Sequence, residues 1–157
     1  SAVEKVQYDA IEWDVVHLVL TSAKRYESFM AQNGLDLILD PGLRAMLSEY
    51  TDVADKSSGY AVISSLGENS RKLYEKVICS GPDVSEENLD DWYSGAIAGL
   101  IRSWASRERQ QIGFSIAEAV RQSDTNAVME LLARDKKLIL LMQETEKERQ
   151  YRWQRDA

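Results

Sequence analysis

His17 is the only histidine in the chain, and Asp14 lies one helical turn before it. Asp14-x-x-His17 is half of the carboxylate–histidine pattern that helical bundles use to hold a pair of metal ions. A complete site needs a second Glu-x-x-His and further carboxylates, and a second histidine does not exist. Asp14, His17 and Thr21 share the polar side of the first predicted helix. His17 therefore reads as a solvated or hydrogen-bonded surface residue. Cys79 is the single cysteine. As a nucleophile it would need a base, and His17 is far away in sequence with no flanking motif. It reads as a small buried or half-buried thiol. One cysteine also excludes an internal disulfide and a cysteine-based zinc site. No glycine-rich phosphate loop occurs; Gly95 and Gly99 fall inside a helix, where their four-residue spacing suits close helix packing. Asp83, Glu86, Glu87, Asp90 and Asp91 form a carboxylate cluster. It could bind a cation, but a helix start with a solvated face explains it with the helix dipole alone. Lys147 to Arg155 interleaves basic and aromatic residues, as single-strand nucleic-acid sites do. Glu144, Glu146 and Glu148 cancel most of that excess, which leaves a charged helix end with Trp153 packing. No catalytic, cofactor-binding or metal-binding residue is expected, and no cofactor.

The elements that carry these residues read as all-α. No stretch alternates with period two. Asp9 is placed to cap a helix through Thr21, followed by a second helix, Ala23–Gln32, stopped by Asn33-Gly34. Asp40-Pro41 starts a helix through Tyr50, with proline at its favoured first position. Thr51 to Gly59 is polar and turn-like. Tyr60–Leu66 is a short helix, Gly67 breaks it, and Glu68–Cys79 is the next. Ser80-Gly81-Pro82-Asp83 is a stop. Ser85 is the expected cap of the long helix that follows.

From Ser85 onward the pattern predicts one very long helix, a tight turn at Gln122–Asn126, and a second long helix. Leu89, Trp92, Tyr93, Ala96, Ile97, Leu100, Ile101 and Trp104 recur at three- and four-residue spacing. Between Ala105 and Gln111 there is no large apolar residue. The helix is expected to leave the bundle and cross solvent there, with Gly113 allowing a bend. Beyond it Ile112, Ile116, Ala119 and Val120 are expected to face Val128, Leu131, Leu132 and Asp135. The expected division is a helical bundle at 1–104 and a projecting helical hairpin at 105–157. Leu138-Ile139-Leu140-Leu141-Met142 is more apolar surface than a two-helix hairpin can hide. The expected partner-binding residues are Leu138, Leu140 and Leu141, with Arg134 and Lys137 as the nearby cations.

The chain has 157 residues, 44% apolar, and a net charge of −7. The charge is uneven: residues 1–101 carry 8 Lys/Arg against 17 Asp/Glu, and residues 102–157 carry 11 against 9. There is no apolar run long enough for a membrane span. Ser1-Ala2-Val3-Glu4 is not the start of a signal peptide. These features fit the cytoplasm.

Three stretches carry a family resemblance. Tyr8-Asp9-Ala10-Ile11-Glu12-Trp13-Asp14-Val15-Val16-His17-Leu18-Val19-Leu20 is a short polar entry to an apolar helix. Asp83-Val84-Ser85-Glu86-Glu87-Asn88-Leu89-Asp90-Asp91-Trp92 leads into the long helix. Asp124-Thr125-Asn126-Ala127-Val128-Met129-Glu130-Leu131-Leu132 opens the last one. In this order they resemble the C-terminal, helicase-binding domain of bacterial DNA primase of the DnaG type, over residues 6–142. The resemblance implies a bundle followed by a hairpin that docks onto the N-terminal domain of the hexameric replicative helicase. Docking would recruit primase to the replication fork and modulate the helicase. It also implies, for some members, binding of the acidic C-terminal tail of single-stranded-DNA-binding protein. Primase's zinc-binding and polymerising parts have no counterpart here, so the chain is not expected to be catalytic by itself. The N-terminal domain of the helicase is a second family with a small bundle and a hairpin. A helical enzyme or metal carrier is the third reading, which bound metal or turnover would reveal.

The acidic half predicts little affinity for duplex DNA, because counterion release has few cations to exploit. Fluorescence anisotropy with a labelled duplex at roughly 150 mM salt should show no submicromolar binding. Tight binding under those conditions would restore the nucleic-acid reading.

Overall fold

Asp9 and Asp40 begin the two helices around which the first part of the chain is built. Asp9 caps one through its Oδ1, which accepts the Glu12 amide at 2.8 Å. Asp40 caps the other, accepting from the Gly42 and Leu43 amides at 3.0 and 3.3 Å, with Pro41 in the first turn. The two caps are cross-linked. The Asp9 amide donates to Asp40 Oδ2 at 3.0 Å, and the Glu12 carboxylate accepts from the Leu39 and Asp40 amides. Asp9-x-x-Glu12 has capping-box spacing, but Glu12 turns to the neighbouring helix start instead of to its own.

In the computed structural model, residues 5, 7–56 and 60–156 are described, with side chains as far as residue 148. Among them are seven α-helices: α1 (Ala10–Leu20), α2 (Ala23–Ala31), α3 (Pro41–Ala54), α4 (Tyr60–Ser65), α5 (Glu68–Cys79), α6 (Leu89–Arg121) and α7 (Thr125–Asp156). Two 3-10 turns, Gly34–Leu37 and Glu86–Asn88, precede α3 and α6. The described residues contain no strand, so the fold is all-α. The polar stretch after Tyr50 is still helix as far as Ala54, and Ser85 leads into the 3-10 turn, not directly into α6.

Contacts group the chain into two units, Ser1–Tyr93 and Ser94–Ala157. Residues 94–104 therefore belong with the hairpin rather than with the bundle. Arg102 explains part of this, since its guanidinium is bound to Glu146 on α7.

The first unit is arranged about α1, which packs against α2, α3 and α5, while α3 packs against α4 and α5. Trp13, Val15, Val16 and Val19 are completely buried, and they point to different sides of one helix. A helix that is apolar nearly all round has to be enclosed. Phe29, Ile38, Leu43, Met46, Leu47 and Val77 complete the enclosure. Asn33 takes a left-handed conformation, φ 56°, to end α2. Gly34 is needed next to it, because a Cβ there would lie 2.5 Å from the Phe29 ring. Tyr50 stacks on Tyr74 at 5.7 Å and meets Tyr26 edge-on at 5.8 Å. Burial raises the pKa of all three phenols.

Burial also pushes the Glu12 carboxyl above its ordinary value of 4.5, and the charges of Asp9 and Asp40 add to the shift, against the pull of the two amide hydrogen bonds. A carboxyl with a raised folded-state pKa stabilises the fold below its unfolded value, and that contribution is lost as pH rises through the folded value. Glu12→Gln keeps an accepting oxygen and has no proton to lose. Denaturant melts at stepped pH should show the wild type losing stability relative to this variant as pH rises from 4.5 towards neutrality. A difference that does not change with pH refutes the assignment.

Candidate protein-interaction surface

The second unit turns on Ser123. Its φ of 55° is left-handed. The Ser123 amide donates to the Val120 carbonyl at 3.0 Å, and the Asp124 amide donates to the Ala119 carbonyl at 2.9 Å. This is the Schellman closure of a helix end. Asp124 then serves the next helix, accepting the Ala127 amide on its Oδ1 at 3.1 Å. One residue thus closes α6 and opens α7, so the two helices form a tight packed pair.

The seam of that pair is a heptad pattern. On α6, Ala105, Ile112 and Ala119 are buried at seven-residue intervals. On α7, Val128, Leu131, Asp135, Leu138 and Met142 are half-buried and Thr145 is buried, at alternating three- and four-residue steps. Such spacing keeps one narrow stripe of each helix facing its partner. Thr145 satisfies its hydroxyl on the Leu141 carbonyl at 2.7 Å. Arg109 grips Asp135 with its Nε and Nη2 at 2.9 and 3.5 Å, and this ion pair holds the Arg109 charge more firmly. Together with Arg102–Glu146 it ties the flank of the seam. Arg102, Arg109, Ile139, Met142, Gln143 and Glu146 line a shallow groove of about 370 Å³. Both arginines there already hold carboxylates, so the groove is not a ready anion site.

Several expectations are corrected by this seam. The stretch from Ala105 to Gln111 does not merely cross solvent: Ala105 is 0% exposed, and Arg109 is paired with Asp135. Small residues, not large ones, make that contact. Gly113 lies within an unbroken α6, and a Cβ at Gly95, Gly99 or Gly113 would meet open space, so these glycines do not mark close packing. Val120 and Leu132 are off the seam, 60% and 53% exposed. Each follows a seam residue, Ala119 and Leu131, and one residue along a helix is a turn of about 100°.

Of the residues expected to bind a partner, Leu140 is 49% exposed, Arg134 and Lys137 are exposed, and Leu138 and Leu141 are half-buried, Leu138 on the seam. The sequence reading missed Met129, 65% exposed, and Leu132 as members of the outward face. The signal was present: Met129, Leu132, Lys136, Leu140 and Gln143 recur at three- and four-residue steps.

The candidates for chemistry are dispersed. His17 Nδ1 donates to the Val77 carbonyl at 2.8 Å, and its Nε2 side lies against Gly81, where a Cβ would come within 2.5 Å. Asp14 is held by Lys5 at 2.6 Å, and Lys5 also donates to the Gly81 carbonyl at 2.9 Å. With Trp13 Nε1 on the Ser80 carbonyl at 2.8 Å, these side chains strap the loop after α5. Cys79 is exposed, not buried. Asp83, Glu86, Glu87, Asp90 and Asp91 are exposed, and Asp90 lies 3.7 Å from Arg25. Burial pushes the Tyr93 phenol up to about 12, with Arg25 opposing. Among the described residues no group of histidine, cysteine and carboxylate side chains could hold a metal ion. No described helix is long and apolar enough to cross a membrane. Trp153 and the basic residues after Glu148 lie outside the described side chains.

Comparison with known proteins returns no match among family models, curated proteins or solved structures.

The seam and the outward face should respond differently to substitution. Ala105→Leu forces extra volume into a closed contact and should lower stability by about 1–3 kcal/mol. Leu132→Ser should change it by no more than about 0.5 kcal/mol. Thermal and denaturant melts of both variants check this, and a large loss in Leu132→Ser would return that residue to the core.

Proposed function

We propose that this chain is a non-catalytic docking module. Its hairpin binds the N-terminal domain of the replicative DNA helicase, as the helicase-binding domain of bacterial primase does. The observation that carries the reading is the exposed apolar face of a helical pair that follows a separately built helical bundle. The order of the three sequence stretches supports the same assignment. An apolar face on a helix is a common means of helix-to-helix recognition. In this reading the bundle supplies a fixed base, and the hairpin supplies the contact that brings primase to the fork and adjusts the helicase.

Leu140 is the test residue, since it belongs both to the apolar run at 138–142 and to the exposed set. A buried aliphatic anchor contributes about 1–3 kcal/mol at an interface. Leu140→Ser should therefore weaken binding to the helicase N-terminal domain roughly five- to a hundredfold, with an unchanged melting temperature. Titration calorimetry with the helicase of the same source measures it. A wild-type chain that does not bind ends the proposal.

A further inference from the structure

We infer that the outward face of α7 is a receptor for an acidic amphipathic helix of a partner protein. The inference deepens the docking reading and rests on it for the identity of the protein that carries that helix. The charge argument stands on the hairpin alone.

Met129, Leu132, Lys136 and Leu140 occupy one face of α7 that is turned away from the seam. The three apolar side chains are about half exposed or more, and Lys136 sits among them, with Lys137 beside it. The charges of α7 next to the seam are paired, whereas Glu130, Lys136, Lys137 and Glu144 are exposed. Asp135 and Glu146 are consumed by Arg109 and Arg102 of α6. Lys136 and Lys137 have no ion-pair partner among the described residues. The seam thus neutralises the anions next to it, and Lys136 is the charged group that stands within the apolar outer stripe, with Lys137 at its border. An occupant that covers the stripe has to bring apolar side chains for Met129, Leu132 and Leu140, and carboxylates for Lys136 and Lys137. A helix with apolar residues on one face and acidic residues along its border meets both demands.

A second copy of the same stripe does not. Lys136 lies near the middle of the stripe, so a two-fold axis across it would set the two Lys136 side chains against each other. A nucleic acid would supply the charge but not the apolar side chains that Met129, Leu132 and Leu140 call for, and an anionic membrane, which would supply both, is the alternative that the vesicle titration decides.

The test uses the full chain and two synthetic helical peptides of about 20 residues. Both carry leucines at three- and four-residue spacing; the remaining positions are glutamate-rich in one and lysine-rich in the other. The chain should bind the glutamate peptide, more weakly as salt is raised, and not the lysine peptide. Lys136→Glu with Lys137→Glu should lower the affinity roughly tenfold or more, and Lys136→Gln with Lys137→Gln by less in the same direction. Met129→Ser with Leu132→Ser should also weaken it. Circular dichroism should show all three double variants folded. The inference is overturned by equal binding of the two peptides, by no binding of the glutamate peptide, or by full affinity in the lysine variants. It is also overturned by stripe-dependent dimerisation in sedimentation equilibrium, or by binding to phosphatidylglycerol vesicles in place of the peptide. A parallel titration with the helicase N-terminal domain separates the two readings. If that domain binds both lysine variants normally, the stripe is not its receptor and helicase docking stands. If it does not bind the wild type while the glutamate peptide does, the helicase assignment falls and the stripe remains.

Discussion

A pair of helices can hide only one stripe on each, and the second unit is governed by that limit. α6 and α7 spend their shared face on a narrow heptad seam of Ala105, Ile112 and Ala119 against Val128, Leu131, Leu138, Met142 and Thr145. Val120, Met129, Leu132 and Leu140, outside the seam, stay about half exposed or more. The turn at Ser123–Asp124 sets this register, since one carbonyl-closing bend and one side-chain cap leave no slack between the helices. The ion pairs Arg102–Glu146 and Arg109–Asp135 then fix the sides of the seam. Exposed pairs of this kind add little stability. Their larger effect is on the distribution of charge around α7.

The first unit meets the opposite condition. α1 is surrounded by α2, α3 and α5, so it can be apolar nearly all round. Its ends are where polar groups must be placed, and there each polar side chain serves two elements. Asp9 and Glu12 join the start of α1 to the start of α3. Trp13 and Lys5 bind the Ser80 and Gly81 carbonyls of the loop after α5, and His17 binds the Val77 carbonyl in the last turn of that helix. The Glu49 carboxylate does the same for α5, accepting from the Gly67 amide and the Ser70 hydroxyl, which lowers its pKa. The residues that looked most like chemistry are thus used as fasteners. Asp14 and His17 lie one turn apart on α1, and each is committed to its own hydrogen bond, Asp14 to Lys5 and His17 to the Val77 carbonyl.

The functional consequence is a division between a unit that builds an enclosed core and a unit that leaves half of a helix uncovered. Binding to a helix face needs no perturbed nucleophile and no cavity. It needs apolar side chains on a rigid backbone, with charges placed to select a partner. In the proposed reading, Met129, Leu132 and Leu140 around Lys136 are what α7 offers for this.

The all-α class, the helix starts at Asp9 and Asp40, the stops at Asn33-Gly34 and after Cys79, and the two long helices joined near Ser123 were all legible in the sequence. They follow from local rules: apolar period, capping side chains, and the residues that tolerate a left-handed backbone. Adjacent apolar residues were harder. Ala119 and Val120, or Leu131 and Leu132, fit a helical stripe equally well in one dimension, and only the packed partner decides which of each pair is covered. The small residue at Ala105 gave no apolar signal, although it is completely buried in the seam. The contacts of Glu12 and Arg109 carry no local sequence signal, because their partners, the amides of Leu39 and Asp40 and the carboxylate of Asp135, are more than two dozen residues away. Composition and period report what a residue prefers. Which preference is met depends on distant groups brought together by folding, and that is decided only in three dimensions.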